Sequence, residues 1–145
     1  MANTIPFSFR GALFSGDHNF SNGGDAYRMS LYVTDPYTEN STIYTNTGEV
    51  LTTGGTGYSP FDLVNQTVTA TTNVAAVDWT TDPSWGGATF TASFAAIYKY
   101  DAVTAANQLL VVMLDFGGAK TATNGTFTVA FPAVNTAADA IISMS

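Results

Sequence analysis

Residues 88–100 read ATFTASFAAIYKY, and this stretch decides the fold. Apolar side chains alternate with Thr, Ser and Lys, so Phe90, Ala92, Phe94, Ala96 and Tyr98 share one face of a β-strand. Working upstream, Tyr27, Met29, Leu31 and Val33 alternate with Arg28, Ser30, Tyr32 and Thr34, which predicts a half-buried strand. Asp35-Pro36 ends it, because proline has no N–H for the ladder and aspartate favours a turn. A weaker β-rich run covers Ser41 to Tyr44. Three glycines within Gly54-Gly55-Thr56-Gly57 then demand a loop. Gln66 to Thr72 and Val74 to Thr80 add two further strand candidates before Asp82-Pro83 and Gly86-Gly87 break the pattern.

Downstream, Gln108 to Phe116 (QLLVVMLDF) is apolar on both faces for most of its length, which predicts a central strand. Gly117-Gly118 and Thr123-Asn124-Gly125 are expected to bracket a turn, since Asn-Gly suits positive φ. Thr126 to Phe131 and Ala140 to Met144 complete the series. Short strands at intervals of about ten residues, with no amphipathic helix, predict an all-β fold: a β-sandwich or jelly-roll-like domain of about seven to eight strands. Short Ala-rich helices are allowed at 101–107 and 136–140 but are not required. The single β-sandwich domain spans residues 27–145. Residues 1–26, where Phe7, Phe9, Phe14 and Phe20 are scattered among Gly, Asn and Ser, are expected to form an extended N-terminal arm.

Composition narrows the function. The chain has 145 residues, of which only 10% are charged and 46% hydrophobic, so it has the bulk for one core and the aromatics that disordered chains lack. A net charge of −7 leaves almost nothing with which to neutralise a phosphate backbone, so nucleic acid is not expected as a partner. No cysteine is present, which removes disulfides, thiolate nucleophiles and thiolate metal sites. The N-terminus lacks a cationic start followed by an apolar run, so no signal peptide is expected. The longest apolar run, Leu109 to Leu114, is too short to span a bilayer, and no membrane association is expected.

His18 is the sole histidine, and it sits in a Gly/Asn-rich segment that would hold a general base poorly. Glu39 and Glu49 are the only glutamates, so no carboxylate pair stands out for glycoside hydrolysis. Asp78 and Asp82 flank Trp79 and would suit a calcium site only with the denser DxDxDG spacing, which is absent; turn capping is the favoured reading. The 54–57 glycines lack the lysine of a phosphate loop. The chain is therefore expected to be non-enzymatic, with no catalytic residues, no cofactor and no metal. Tyr58, Trp79 and Trp85 are candidate glycan-stacking or interface aromatics. Phe7, Phe9, Phe14 and Phe20 are candidate docking anchors, and the charge-poor surface suits broad contact with copies of itself or a flat partner.

The order of several segments resembles a family of small tailed-bacteriophage virion proteins. These are Gly48-Glu49-Val50 leading into Gly54-Gly55-Thr56-Gly57-Tyr58, then Asp78-Trp79 with Trp85, and the Thr89-Phe90-Thr91-Ala92 strand reaching Ile97-Tyr98. Leu114-Asp115-Phe116-Gly117, Thr123-Asn124-Gly125-Thr126-Phe127-Thr128-Val129 and Phe131-Pro132-Ala133 follow, so the resemblance covers residues 27–133. It implies a head decoration or cement protein, made in the host cytoplasm and bound as an oligomer, plausibly a homotrimer, on the outer capsid surface. The implied partners are the major capsid protein and further copies of the chain. A tail, fibre or baseplate adaptor and a carbohydrate-binding surface module are the rival expectations.

Overall fold

A computed structural model describes residues 3–70, 73–132 and 140–144. Within them the chain is a β-sandwich of two antiparallel sheets. Strands β1 (Tyr27–Tyr32), β2 (Phe61–Leu63), β5 (Ser84–Lys99) and β6 (Leu110–Thr128) form a four-stranded sheet in the order β2-β1-β5-β6. Strands β3 (Gln66–Ala70), β4 (Ala75–Trp79) and β7 (Ile142–Met144) form the second sheet, in the order β3-β4-β7. One apolar cluster joins the sheets: Tyr27, Met29, Leu31, Ile97 and Val111 on the large sheet meet Trp79 and Ile142 on the small one.

Around β1, the end of β5 and the start of β6 the large sheet is buried on both faces. Its second face carries Tyr32, Ala96, Tyr98, Leu110 and Met113, covered by Tyr37 and Tyr44 from the long connection after β1. This is why β1 is buried almost throughout rather than on alternate residues as its period predicted. The same two-faced burial divides the deciding stretch. At the register shift between Ala92 and Phe94, which lie opposite Lys120 and Asp115, the extra residues belong to β6, and the faces of β5 reverse across it. Phe90 and Ala92 therefore join Ala95 and Ile97 in the main core, while Phe94, Ala96 and Tyr98 face the second cluster.

Four other expectations are corrected. The QLLVVMLDF strand is an edge strand, not a central one. Its apolar character reflects burial on both faces, Val111 and Val112 in the main core and Leu110 and Met113 in the second cluster, while backbone bonds to Thr4, Thr42 and Tyr44 cover its outer edge. The expected turn over 117–125 is continuous strand, in which Gly117, Gly118 and Asn124 take positive φ and bend β6 without reversing it. Ser41 to Tyr44 contributes one isolated bridge, Ile43 to Leu109, rather than a strand. The arm is not extended: residues Phe7–Ser15 form helix α1. Its apolar residues circle the helix instead of forming one stripe, and Gly11 interrupts it, so neither period nor propensity marks it in the sequence. Of the two optional helices, 101–107 contains a 3₁₀ turn at Ala105–Asn107, and 136–140 lies largely outside the described residues.

Gly48 shows how tightly the long connection is drawn against β1. Its φ is +73°, and a Cβ there would lie 2.9 Å from the Thr34 carbonyl oxygen and 2.4 Å from the Thr34 hydroxyl. Gly54 also has positive φ (+83°) but open space around it. Gly48→Ala should therefore cost more stability than Gly54→Ala, which carries only the left-handed backbone penalty of about 1–2 kcal/mol. Urea denaturation of the two variants checks this ordering.

Candidate docking arm and buried glutamate cluster

Helix α1 is fastened at both ends. Its first N–H, from Phe7, donates to the Glu39 carbonyl at 2.9 Å, and the Ser8 hydroxyl donates to the Ser41 carbonyl at 2.8 Å. At the other end Gly16 takes the left-handed conformation (φ +78°). The N–H groups of Gly16 and Asp17 close onto the carbonyls of Leu13 and Ala12, as in a Schellman motif. Before the helix, Thr4 exchanges two backbone bonds of 2.9 Å with Met113 of β6.

This anchoring sorts the four candidate phenylalanines. Phe9 and Phe20 are buried in the protein's own core, at ring distances of 5.0 and 5.6 Å from His18. They are structural residues and are not available as external anchors. Phe7 and Phe14 lie on the opposite side of α1, 50% and 95% exposed. The Arg10 guanidinium sits between them in sequence and lies 5.4 Å from the Phe7 ring centroid. Spacings of three, four and seven residues place Phe7, Arg10 and Phe14 on one outward stripe.

Tyr58, Trp79 and Trp85 are all buried. Trp85 is enclosed by Tyr58, Phe61, Phe90 and Phe127 and donates its indole N–H to the Ser59 carbonyl at 2.7 Å. Trp79 packs among Phe20, Tyr27 and Phe131. Neither indole offers an open face on which a sugar ring would stack. Asp82 accepts the N–H of Phe131, distant in sequence, at 2.9 Å, a long-range tie and not the turn cap expected, while Asp78 is buried on β4 with its Oδ1 unpaired. Burial, then the charge of Asp82, pushes the Asp78 carboxyl above its ordinary pKa. Among the described residues no three His, Asp or Glu side chains are grouped so that they could hold a metal ion. No described helix is long and apolar enough to cross a membrane.

The densest polar chemistry surrounds Glu49, which the sequence did not single out as a site. The residue is fully buried, and its two carboxylate oxygens accept hydrogen bonds from Tyr44 (2.6 Å) and Tyr58 (2.7 Å). The Tyr58 hydroxyl in turn accepts the Leu31 N–H at 2.9 Å. Strand β2 pairs with only Tyr27, Arg28 and Met29 of β1. Tyr58 thus satisfies the next donor on that edge, and a Tyr32–Glu49 bridge and the Val33-to-Gly48 backbone bond continue it. Alongside, Tyr32 and Tyr37 hydroxyls lie 2.7 Å apart and both bond the Thr45 carbonyl. Burial is the largest cause raising all of these phenols above their usual pKa, Tyr37 and Tyr98 to about 12. They stay protonated donors at neutral pH. The two described ion pairs, Arg28 with Asp62 and Lys99 with Asp25, do not involve Glu49. A carboxylate so enclosed is closed to substrate and acts by holding the connection to the sheet.

No protein family, curated protein or solved structure matches the chain.

Tyr58→Phe removes the donor to Glu49 and the acceptor for Leu31 together and should cost about 2–3 kcal/mol, since bonds to charged groups contribute about 1.5–3 kcal/mol. Tyr44→Phe, which severs one bond at a half-buried position, should cost less. Denaturant midpoints at an unchanged m-value measure the difference.

Proposed function

We propose that this chain is a non-enzymatic structural protein of a tailed-bacteriophage virion, which binds the outer head and cements the shell through its N-terminal arm. The observation that carries the reading is the exposure of Phe14 on a helix whose every other attachment is turned inward. A phenylalanine left 95% in water on an anchored helix is an apolar group held ready for a partner, and aromatics flanked by arginine are the residue types that dominate interface energetics. The major capsid protein and neighbouring copies of the chain, arranged as a homotrimer, are the partners this reading assigns. The sequence resemblance to small virion proteins and the charge-poor surface support it.

Cementing requires no catalysis. A protein that binds the assembled shell and not its free subunits stabilises the shell by mass action, and many modest sites per particle multiply the effect. The site of action would be the outer capsid surface, after synthesis in the host cytoplasm. A tail or baseplate adaptor would use the same stripe against a different surface. The carbohydrate-binding alternative loses its support, because Tyr58, Trp79 and Trp85 have no open faces.

The test is co-sedimentation of the purified chain with phage heads that lack it. Wild type should pellet with the heads, and Phe7→Ser/Phe14→Ser should bind at least tenfold more weakly with its stability changed by no more than about 0.5 kcal/mol, as for exposed sites. Equal binding by the double variant would overturn the assignment.

A further inference from the structure

We propose that His18 is an acid-sensitive latch whose protonation releases the N-terminal arm from the sandwich while the strands remain folded. The geometry is that of a neutral imidazole in an aromatic box. The ring stacks on Phe20 (5.6 Å, 10°) and Tyr27 (6.0 Å, 20°), and Phe9 of α1 meets it edge-on at 5.0 Å. Nδ1 lies 3.2 Å from the Tyr27 hydroxyl, whereas Nε2 is buried with no hydrogen-bond partner. In either tautomer, adding a proton places a charged N–H donor at Nε2 with nothing to accept it.

The charged groups around the ring reinforce this. Lys99, at the end of β5, donates to the Asp17 carbonyl at 2.7 Å and pairs with Asp25 at 3.1 Å, strapping the loop that carries His18. Its positive charge opposes a second one on the imidazole, while Asp25 and Asp17 partly favour it. Burial is the largest effect, and the net result lowers the His18 pKa from 6.5 to about 4. From the small sheet the ring's neighbourhood is apolar: Val68, Val77 and Ile142 line a groove of about 550 Å³ with Phe9, Leu13 and Phe20. The arm therefore spans an incompletely filled space on that side, where its hold depends on the aromatic box and the Lys99 strap, while the bonds of Thr4, Phe7 and Ser8 tether only its start.

The direction follows from the depressed pKa. Above 6.5 His18 is neutral whether the arm is docked or free, and docking is unaffected. As pH falls below 6.5 only the free arm takes up the proton, so docking weakens by up to about tenfold per pH unit until the docked form also titrates near 4.

The chain has one histidine, so its ring gives a single set of imidazole resonances for NMR titration. The experiment follows that signal, together with amide-exchange protection corrected for intrinsic rates, on the intact protein from pH 7.5 to 4. The expected result is loss of protection in residues 7–20 between pH 6.5 and 4 with β5 and β6 still protected. His18→Phe, which keeps an aromatic ring in the box, should hold the arm docked across the range, and His18→Gln should remove the pH dependence at any level of docking. An arm protected down to pH 4, an arm that melts together with the strands, or the same acid release in His18→Phe would each overturn the latch.

Discussion

Withdrawing a carboxylate from water costs several kcal/mol unless its oxygens are satisfied, and Glu49 meets that condition with two phenols instead of a cation. Much of the sandwich is organised around the consequence. Strand β1 lies inside the large sheet, yet β2 pairs with only its first half, so the rest of that edge would be left with bare backbone donors. The Glu49 segment and Tyr58 supply the missing partners, and by doing so they draw the connection after β1 across the outer face of the sheet. Tyr37 and Tyr44 on that connection then close the second apolar cluster, which is what turns a one-sided sheet into one buried on both faces. The left-handed Gly48 and its close approach to Thr34 are the backbone geometry that this crossing requires.

The strands were largely legible because period-two patterns survive wherever a strand has one dominant environment. Strands β1, β3, β4 and β5 all fall on segments that the sequence marked as strands. The departures have specific causes. The faces of β5 switch after Ala92, where the surplus residues lie on the partner strand β6 between Asp115 and Lys120, and nothing in ATFTASFAAIYKY marks the change. The apolar QLLVVMLDF run resembles a central strand because both its faces are buried, and that Thr4 and the 42–44 segment, not another strand, cover its free edge is a tertiary fact with no local signal. Gly117-Gly118 and Asn124 carry turn chemistry, but here positive φ bends a strand instead of reversing the chain.

The candidate site was less legible than the fold. Four phenylalanines in the first 20 residues look alike in sequence, and only the docking of α1 divides them into two core residues and two exposed ones. Glu49 carried one available hint, an acid immediately before Val50-Leu51 in a chain with few charges and seven tyrosines. Its partners come from five residues upstream and nine downstream, and the downstream one also satisfies a donor on β1, so the network exists only once the connection has folded back.

The arm and the sheet thus divide the labour: the tyrosine and glutamate cluster fixes the sandwich, and α1, anchored by Phe9 and latched at His18, presents Phe7 and Phe14 outward. The most direct test of the central claim, that this outward stripe docks the chain on a virion, is cryo-electron microscopy of particles that carry it. The account predicts density for the sandwich on the outer head, with α1 at the contact and Phe14 buried against a capsid subunit or a neighbouring copy. Density in which α1 faces solvent, or density confined to the tail, would contradict it.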